Sequence, residues 1–325
     1  MNTATINPGQ NQPPGQDQPM DLRRTKLPAA PPELVAYCRQ LDDWVNTRTG
    51  VPEAQVAPPA PAVSEAIRQL GNSGSLEEMG LVEFDLLTLA TNLRQVCDLF
   101  REHFPDDPLT PALAAAPALA DLPASDPVHD WFAGAAPGKG KPGETRTAVQ
   151  ALTATMQQWA YERELDEHTL LQLLHWAAAP FRRRAAHRYR EDLAGLITNE
   201  RGHCPICRRE PDLAELSSTE HGRRYLLCLP CDLRWHFKRM GCPHCGNVDF
   251  DRLGYLLVGN DQAYKIYHCE ECKGYLKTID RRDDNAPLNS PSLLLENAKT
   301  CFLDLLAVEQ GYQPTPEKPR EQSTL

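Results

Sequence analysis

The spacing of apolar positions divides the chain into a helical first half and a strand-bearing stretch before a last helix. Leu34, Tyr37, Cys38, Leu41 and Trp44 recur at three and four residues after Pro31 and Pro32, which predicts a helix from about Glu33. Leu86, Leu89, Leu93, Val96, Cys97 and Phe100 do the same inside Leu81 to Phe104, and Pro105 ends that run. Val149, Leu152, Met156 and Trp159 predict a third helix over Thr145 to Glu164. A fourth runs from about Asp166 to Asn199, with an interruption or kink expected at Pro180. Further on the period changes. Arg224 to Cys228, Leu233 to Phe237, Lys265 to Cys269 and Gly274 to Ile279 read as half-buried strands. Leu294, Leu295, Ala298, Cys301, Phe302, Leu305 and Leu306 give a closing helix, with Ser290 and Pro291 as its start and Gly311 as its stop.

Segments without periodicity set the boundaries. Met1 to Ala30 is rich in Asn, Gln, Pro and Gly, the composition of a disordered tail. Val51 to Val63 reads as a Pro/Ala linker, and Asp106 to Pro142 as irregular loop with a short helix near Val128 to Phe132. The expected organisation is a disordered tail at 1–30 and a helical domain at 31–200 with a Pro/Ala-rich loop at about 106–142. A tandem four-cysteine module at 201–285, a helix at 288–312 and a disordered tail at 313–325 follow. The fold class is α+β: a mostly helical N-terminal body, a duplicated rubredoxin- or zinc-ribbon-like metal module, and a C-terminal helix.

Charge narrows the function. With 325 residues, a formal charge of -10 and a pI near 5.5, the chain lacks the basic excess of a general nucleic-acid or anionic-membrane binder. No basic segment leads into an apolar stretch near the start, Arg23 and Arg24 notwithstanding, and Leu170 to Ala179 falls short of the roughly 20 apolar residues of a membrane helix. A soluble, cytoplasmic protein is expected. Arg182, Arg183, Arg184, Arg188 and Arg190 form a basic run, read as a solvated helix face screened by Glu191 and Asp192, or else as a docking patch for an acidic partner.

Eleven cysteines in such a chain point to metal or redox chemistry rather than disulfides. Cys38, Cys97 and Cys301 fall in helical patterns and read as small buried hydrophobes. The other eight form four Cys-x-x-Cys pairs: Cys204 and Cys207, Cys228 and Cys231, Cys242 and Cys245, Cys269 and Cys272. Such spacing lets one tight turn aim two sulfurs at one ion. A Cys-Pro-x-Cys start recurs 38 residues on, from 204 to 242, and each second pair follows an aromatic strand-like segment, so one small unit is duplicated. Pairing in sequence order gives Cys204, Cys207, Cys228 and Cys231 as one site and Cys242, Cys245, Cys269 and Cys272 as the other; a crossed arrangement needs longer excursions. Four thiolates suit zinc or iron and leave no position for water or substrate, so no catalytic residue is assigned. His203, His236, His244 and His268 read as outer-shell or surface residues. Arg201 to Arg282 holds 14 Lys/Arg against 11 Asp/Glu, a small excess that eight thiolates around two divalent ions would reverse.

Cys204-Pro205-Ile206-Cys207, Arg224 to Cys231, Trp235-His236, Cys242-Pro243-His244-Cys245, and Cys269 to Cys272 leading into Tyr275-Leu276-Lys277 together resemble the formate dehydrogenase accessory proteins of the FdhE type. The resemblance covers about Leu170 to Tyr312 and is looser before that. It implies a cytoplasmic, non-enzymatic maturation factor that binds the catalytic subunit of formate dehydrogenase and is required for its assembly into active enzyme. It also implies a rubredoxin-like module, which tilts the two metal ions towards iron, although four thiolates accept zinc readily; the charge balance and hydropathy, for their part, point to no nucleic acid and no direct membrane insertion. Which surface meets the partner is open. Two other readings stand beside it. A nucleic-acid-binding zinc ribbon would use Tyr225, Trp235, Tyr255, Tyr264, Tyr267 and Tyr275 for base stacking, although their strand spacing suits hairpin or core positions better. A rubredoxin-like electron carrier would cycle iron in the same sites.

Overall fold

A computed structural model describes residues 28–50, 59–70, 74–115, 153–154, 156–194, 196, 201–258, 263–282 and 292–316. The helical elements are α1 (Pro32–Thr49), α2 (Pro61–Arg68), α3 (Leu86–His103), α4 (Leu109–Ala115), α5 (Glu167–Arg188) and α6 (Arg190–Ala194), with a further helical stretch at 156–162. Asp85 and Asp166 start α3 and α5 by accepting the backbone N–H of Thr88 and Thr169. Leu41, Leu89, Val96 and Phe100 turn inward as their spacing requires.

Several expectations change here. Pro61 to Val63 open α2 instead of ending a linker, because Pro61 stands in the first turn, where its missing N–H costs nothing. The segment after Pro105 forms α4, while Val128 to Phe132 lies outside the described residues. Pro180 does not interrupt α5: the helix continues to Arg188, held by burial of Leu170, Leu173, Ala177, Ala179, Phe181 and Ala185 around it. The closing helix is two, α7 (Leu293–Lys299) and α8 (Cys301–Glu309), hinged at Thr300. Its cap is Ser292, which accepts from Leu295 N–H; Ser290 and Pro291 lie outside the described residues.

Six strands make one sheet in the order β3-β2-β1-β6-β5-β4: β1 (Leu213–Leu216), β2 (Arg224–Cys228), β3 (Leu233–Phe237), β4 (Leu253–Leu257), β5 (Tyr264–Cys269) and β6 (Tyr275–Asp280). Each repeat supplies three antiparallel strands. The repeats join edge to edge through a parallel pair, Ala214 opposite Thr278 and Leu216 opposite Asp280. One buried cluster runs from Tyr37 and Leu41 through α5 to Leu226, Phe237, Ile279 and Leu295, so body and sheet share a core. Helix α7 closes this arrangement by packing on α1, which brings the two ends of the described chain together.

Candidate metal centres

Each Cys-x-x-Cys pair sits in the same tight turn. The residue after its second cysteine takes a left-handed conformation in all four: Arg208 (φ 61°), Asp232 (φ 49°), Gly246 (φ 79°) and Lys273 (φ 56°). Three of the four are not glycine, which costs roughly 1 kcal/mol apiece and is held by the turn's own bonds. Cys204 N–H donates to Arg209 O at 2.9 Å, Cys242 N–H to Asn247 O at 2.8 Å and Cys269 N–H to Gly274 O at 2.9 Å. These turns aim backbone N–H groups at sulfur, Ile206 N to Cys204 Sγ and Gly274 N to Cys272 Sγ, both at 3.4 Å.

The pairs converge in sequence order. Cys204, Cys207, Cys228 and Cys231 form one group, and Cys242, Cys245, Cys269 and Cys272 the other, with all sulfurs of a group within 4.8 Å of one another. Cys207 and Cys228 sulfurs are 3.7 Å apart, Cys242 and Cys272 3.6 Å, Cys245 and Cys269 3.8 Å. A tetrahedron with metal–sulfur bonds near 2.3 Å has edges of about 3.8 Å, so the donor set fits a tetrathiolate ion. The thiols cannot all ionise unaided. In the first group, bonds from Cys204 and its neighbours hold Cys207 well below the ordinary thiol value. The same bonds push Cys228 well above it, and burial does so for Cys231. In the second, burial raises Cys242 and pushes Cys272 up to about 12. A divalent cation would end that competition by taking all four as thiolates.

The first group is built into the seam with the helical body. Leu76 N–H and Glu77 N–H donate to the carbonyls of Pro205 and Ile206, at 2.9 and 3.0 Å, so the loop before α3 is bonded to the first cysteine turn. Helix α5 grips the second turn: Arg183 donates to Leu229 O at 3.1 Å and Pro230 O at 3.3 Å. Its neighbour Arg182 makes a two-point bond with Glu77, at 2.9 and 3.2 Å, and its charge reaches Cys207 and Cys231. Burial, and then Arg209, keep His175 well below its usual pKa, and its Nδ1 accepts from Arg182 at 3.1 Å. Arg182 is 3% exposed and Arg183 6%. Neither the solvated face nor the docking patch expected of the basic run therefore holds for these two. Helix α5 is covered by α1, α3 and the module, and spacing along one helix does not report that cover.

The second group is clasped by the chain's C-terminal segment. Tyr275 N–H donates to Gln313 O and Gln313 N–H to Lys273 O, at 3.0 and 2.7 Å. Tyr312 stacks on His268 with ring centroids 4.4 Å apart, and Pro316 lies against Gly274 where a Cβ would meet it at 2.8 Å. Between the groups, Glu210 receives His203 at 3.0 Å and His244 at 3.1 Å. Burial opposes its ionisation, but these bonds outweigh it and hold the carboxyl at about 2. The other nitrogen of His244 meets Tyr275 O at 3.0 Å. Thus His203, His244 and His268 lie around the sulfurs, outside the four-cysteine sets, and His236 stands on β3 against Tyr225.

Trp235 and Tyr275 are buried, Trp235 donating to Arg201 O at 2.8 Å, and Tyr255 and Tyr267 form a cross-strand stack. Cys38 is buried, and Cys97 and Cys301 are half-buried. Residues that sequence reasoning missed are Glu77, Arg182, Arg183, Glu210 and Tyr312. Only the Glu210 side chain, six residues after Cys204, carried a local hint. Among the described residues no helix is long and apolar enough to cross a membrane.

A model of the FdhE central domain matches residues 203–239. Over 114 residues the chain is 34% identical to the Protein FdhE homolog of Aquifex aeolicus, covering 34% of this chain and 39% of that one. Over 147 residues it is 28% identical to Protein FdhE of Escherichia coli K12, covering 41% and 45%. The matched stretch thus spans less than half of these curated relatives. The crystal structure of the FdhE protein from Pseudomonas aeruginosa aligns with a TM-score of 0.46 at 21% identity, over 86% of this chain and 84% of that one. Through its four-cysteine region, the chain is similar to proteins of the FdhE family.

Proposed function

We propose that this chain is an accessory factor that binds the catalytic subunit of formate dehydrogenase and is required for its assembly into active enzyme, acting in the cytoplasm without catalysing a reaction itself. The observation that carries this reading is the pair of closed four-thiol groups set in an FdhE-type module. Cys204, Cys207, Cys228 and Cys231 would hold one ion and Cys242, Cys245, Cys269 and Cys272 a second, iron or zinc. Each ion would supply cross-links that fix the turns, and no coordination position would remain for a substrate. In that role Arg183 and the Leu76–Glu77 loop hold the helical body against the first site, while Gln313 and Tyr312 hold the second.

Co-purification of the tagged chain with the formate dehydrogenase catalytic subunit, lost on Cys228→Ser or Cys269→Ser, is the expected result. Normal formate dehydrogenase activity in a strain deleted for this chain would sink the proposal. Metal analysis with a visible spectrum on protein from its native host separates the ions, since ferric tetrathiolate absorbs in the visible and zinc does not.

A further inference from the structure

A cleft of about 330 Å³ opens on one face of the sheet beside the second four-cysteine group. It is bounded by the link between the repeats, through Arg239 to His244, and by β4 and β5. That volume falls at the lower end of small-ligand pockets. Among the described residues its lining includes Arg224, Arg239, Lys265 and Arg282 and no Asp or Glu, in a chain whose net charge is -10. Tyr255 and Tyr267, stacked at 5.6 Å, form an aromatic wall.

Arg224 is the informative member. It is 2% exposed, and its Nη1 donates to Gly241 O at 2.8 Å. Its Nε is buried without a partner, and no carboxylate among the described residues pairs with the guanidinium. Its Cζ lies over the Tyr267 ring at 5.2 Å and the Phe237 ring at 5.6 Å from the centroids. The buried arginines of α5 are treated differently: Arg182 pairs with Glu77, and Arg183 lies 3.9 Å from Asp42. A buried cation left without a counter-charge is costly, and a fold retains one where something else supplies the charge. Arg239 at the mouth is exposed and forms no ion pair among the described residues, while Asp280 offsets one of the two charges of Lys265 and Arg282. The cleft therefore carries about three positive charges that no carboxylate pairs with; four thiolates on a divalent ion at its Cys242 and Cys269 edge would offset part of that charge, and the buried Nε of Arg224 and the exposed Arg239 remain as donors for an anion.

We propose that this cleft is a binding site for a multiply charged oxyanion of the phosphate class, with Arg224 as the buried contact, Arg239 as the contact at the mouth and the tyrosine pair as the wall.

The test uses the full chain with its metals bound. Inorganic phosphate is titrated at constant ionic strength against sodium chloride and followed by calorimetry and thermal shift, with acetate as a parallel arm. Saturable phosphate binding is expected, weakened about tenfold or more by Arg239→Ala and abolished by Arg224→Met. Arg94→Ala, an exposed position on the helical body, should bind as the parent does. Metal content is measured on every variant. If Arg224→Met loses its metal, the exposed Arg239→Ala variant decides alone. No saturable phosphate binding by the parent, unchanged binding by Arg239→Ala, or acetate binding as tightly as phosphate would each overturn the assignment.

Discussion

The two four-cysteine groups are copies of one unit and sit in different surroundings. Both have the same turns and the same left-handed residue after each pair. The first lies in the seam between sheet and helices, with Cys204, Cys228 and Cys231 each no more than 1% exposed, Cys207 half-buried, and both of its turns bonded to the body. In the second, Cys245 and Cys272 are half-buried, and the cover is a short C-terminal segment. Repetition supplies the donors; what folds over them decides how much of the molecule depends on each. The first site anchors the body, whereas the second anchors its own repeat and the C-terminal segment and reaches the first repeat through His244 and Glu210.

The largest effect expected from this contrast comes from a single cysteine. A structural tetrathiolate contributes about 10–16 kcal/mol in small domains, comparable with the whole stability of a protein. Cys231→Ser should therefore lose one metal equivalent and the cooperative unfolding of body and sheet together. Cys272→Ser should lose one equivalent and leave the helical transition in place. Metal content with thermal unfolding by circular dichroism checks both, and equal collapse of the two variants would erase the distinction between the sites.

Next comes the seam. Arg182→Ala strands Glu77 against a buried surface and should cost about 3–5 kcal/mol in urea unfolding. Arg183→Ala, which frees two turn carbonyls, should cost about 1–3 kcal/mol. Neither is expected to change the second site's affinity. At the other site, Tyr312→Ala removes the ring stacked on His268 and should weaken metal retention about tenfold there alone, read by chelator competition. Loss of both ions at one rate in that variant would show that the clasp does not act locally. The smallest effect belongs to Gly246→Ala. A Cβ there meets nothing within 4 Å, so only the left-handed backbone at φ 79° is penalised, by about 1 kcal/mol of unfolding free energy.

Much of the module could be read along the chain. The cysteine pairs are local turns, and β2, β3, β5 and β6 announce themselves by alternation within a few residues of them. Strands β1 and β4 did not. Leu213 to Leu216 is a short run with Glu215 in it, and β1 owes its place to β2 on one side and β6 on the other. The basic run misled because Arg182 and Arg183 look like surface residues on a lone helix, and become buried ones only when Glu77 and the turn at Leu229 come to meet them. Pro180 misled for a related reason, since packing on several sides outweighs a local cost.

The sequence by itself determined the four Cys-x-x-Cys pairs, their grouping in order, the repeat and the helical periods, because these rest on chemistry and spacing within a few turns of chain. Only the tertiary structure decided that the repeats join through a parallel β1–β6 pair, that arginines of α5 brace the first site, and that residues 312–316 clasp the second. Those contacts link residues far apart in the chain, and their free energy comes from desolvation and pairing that exist only once the intervening chain has closed.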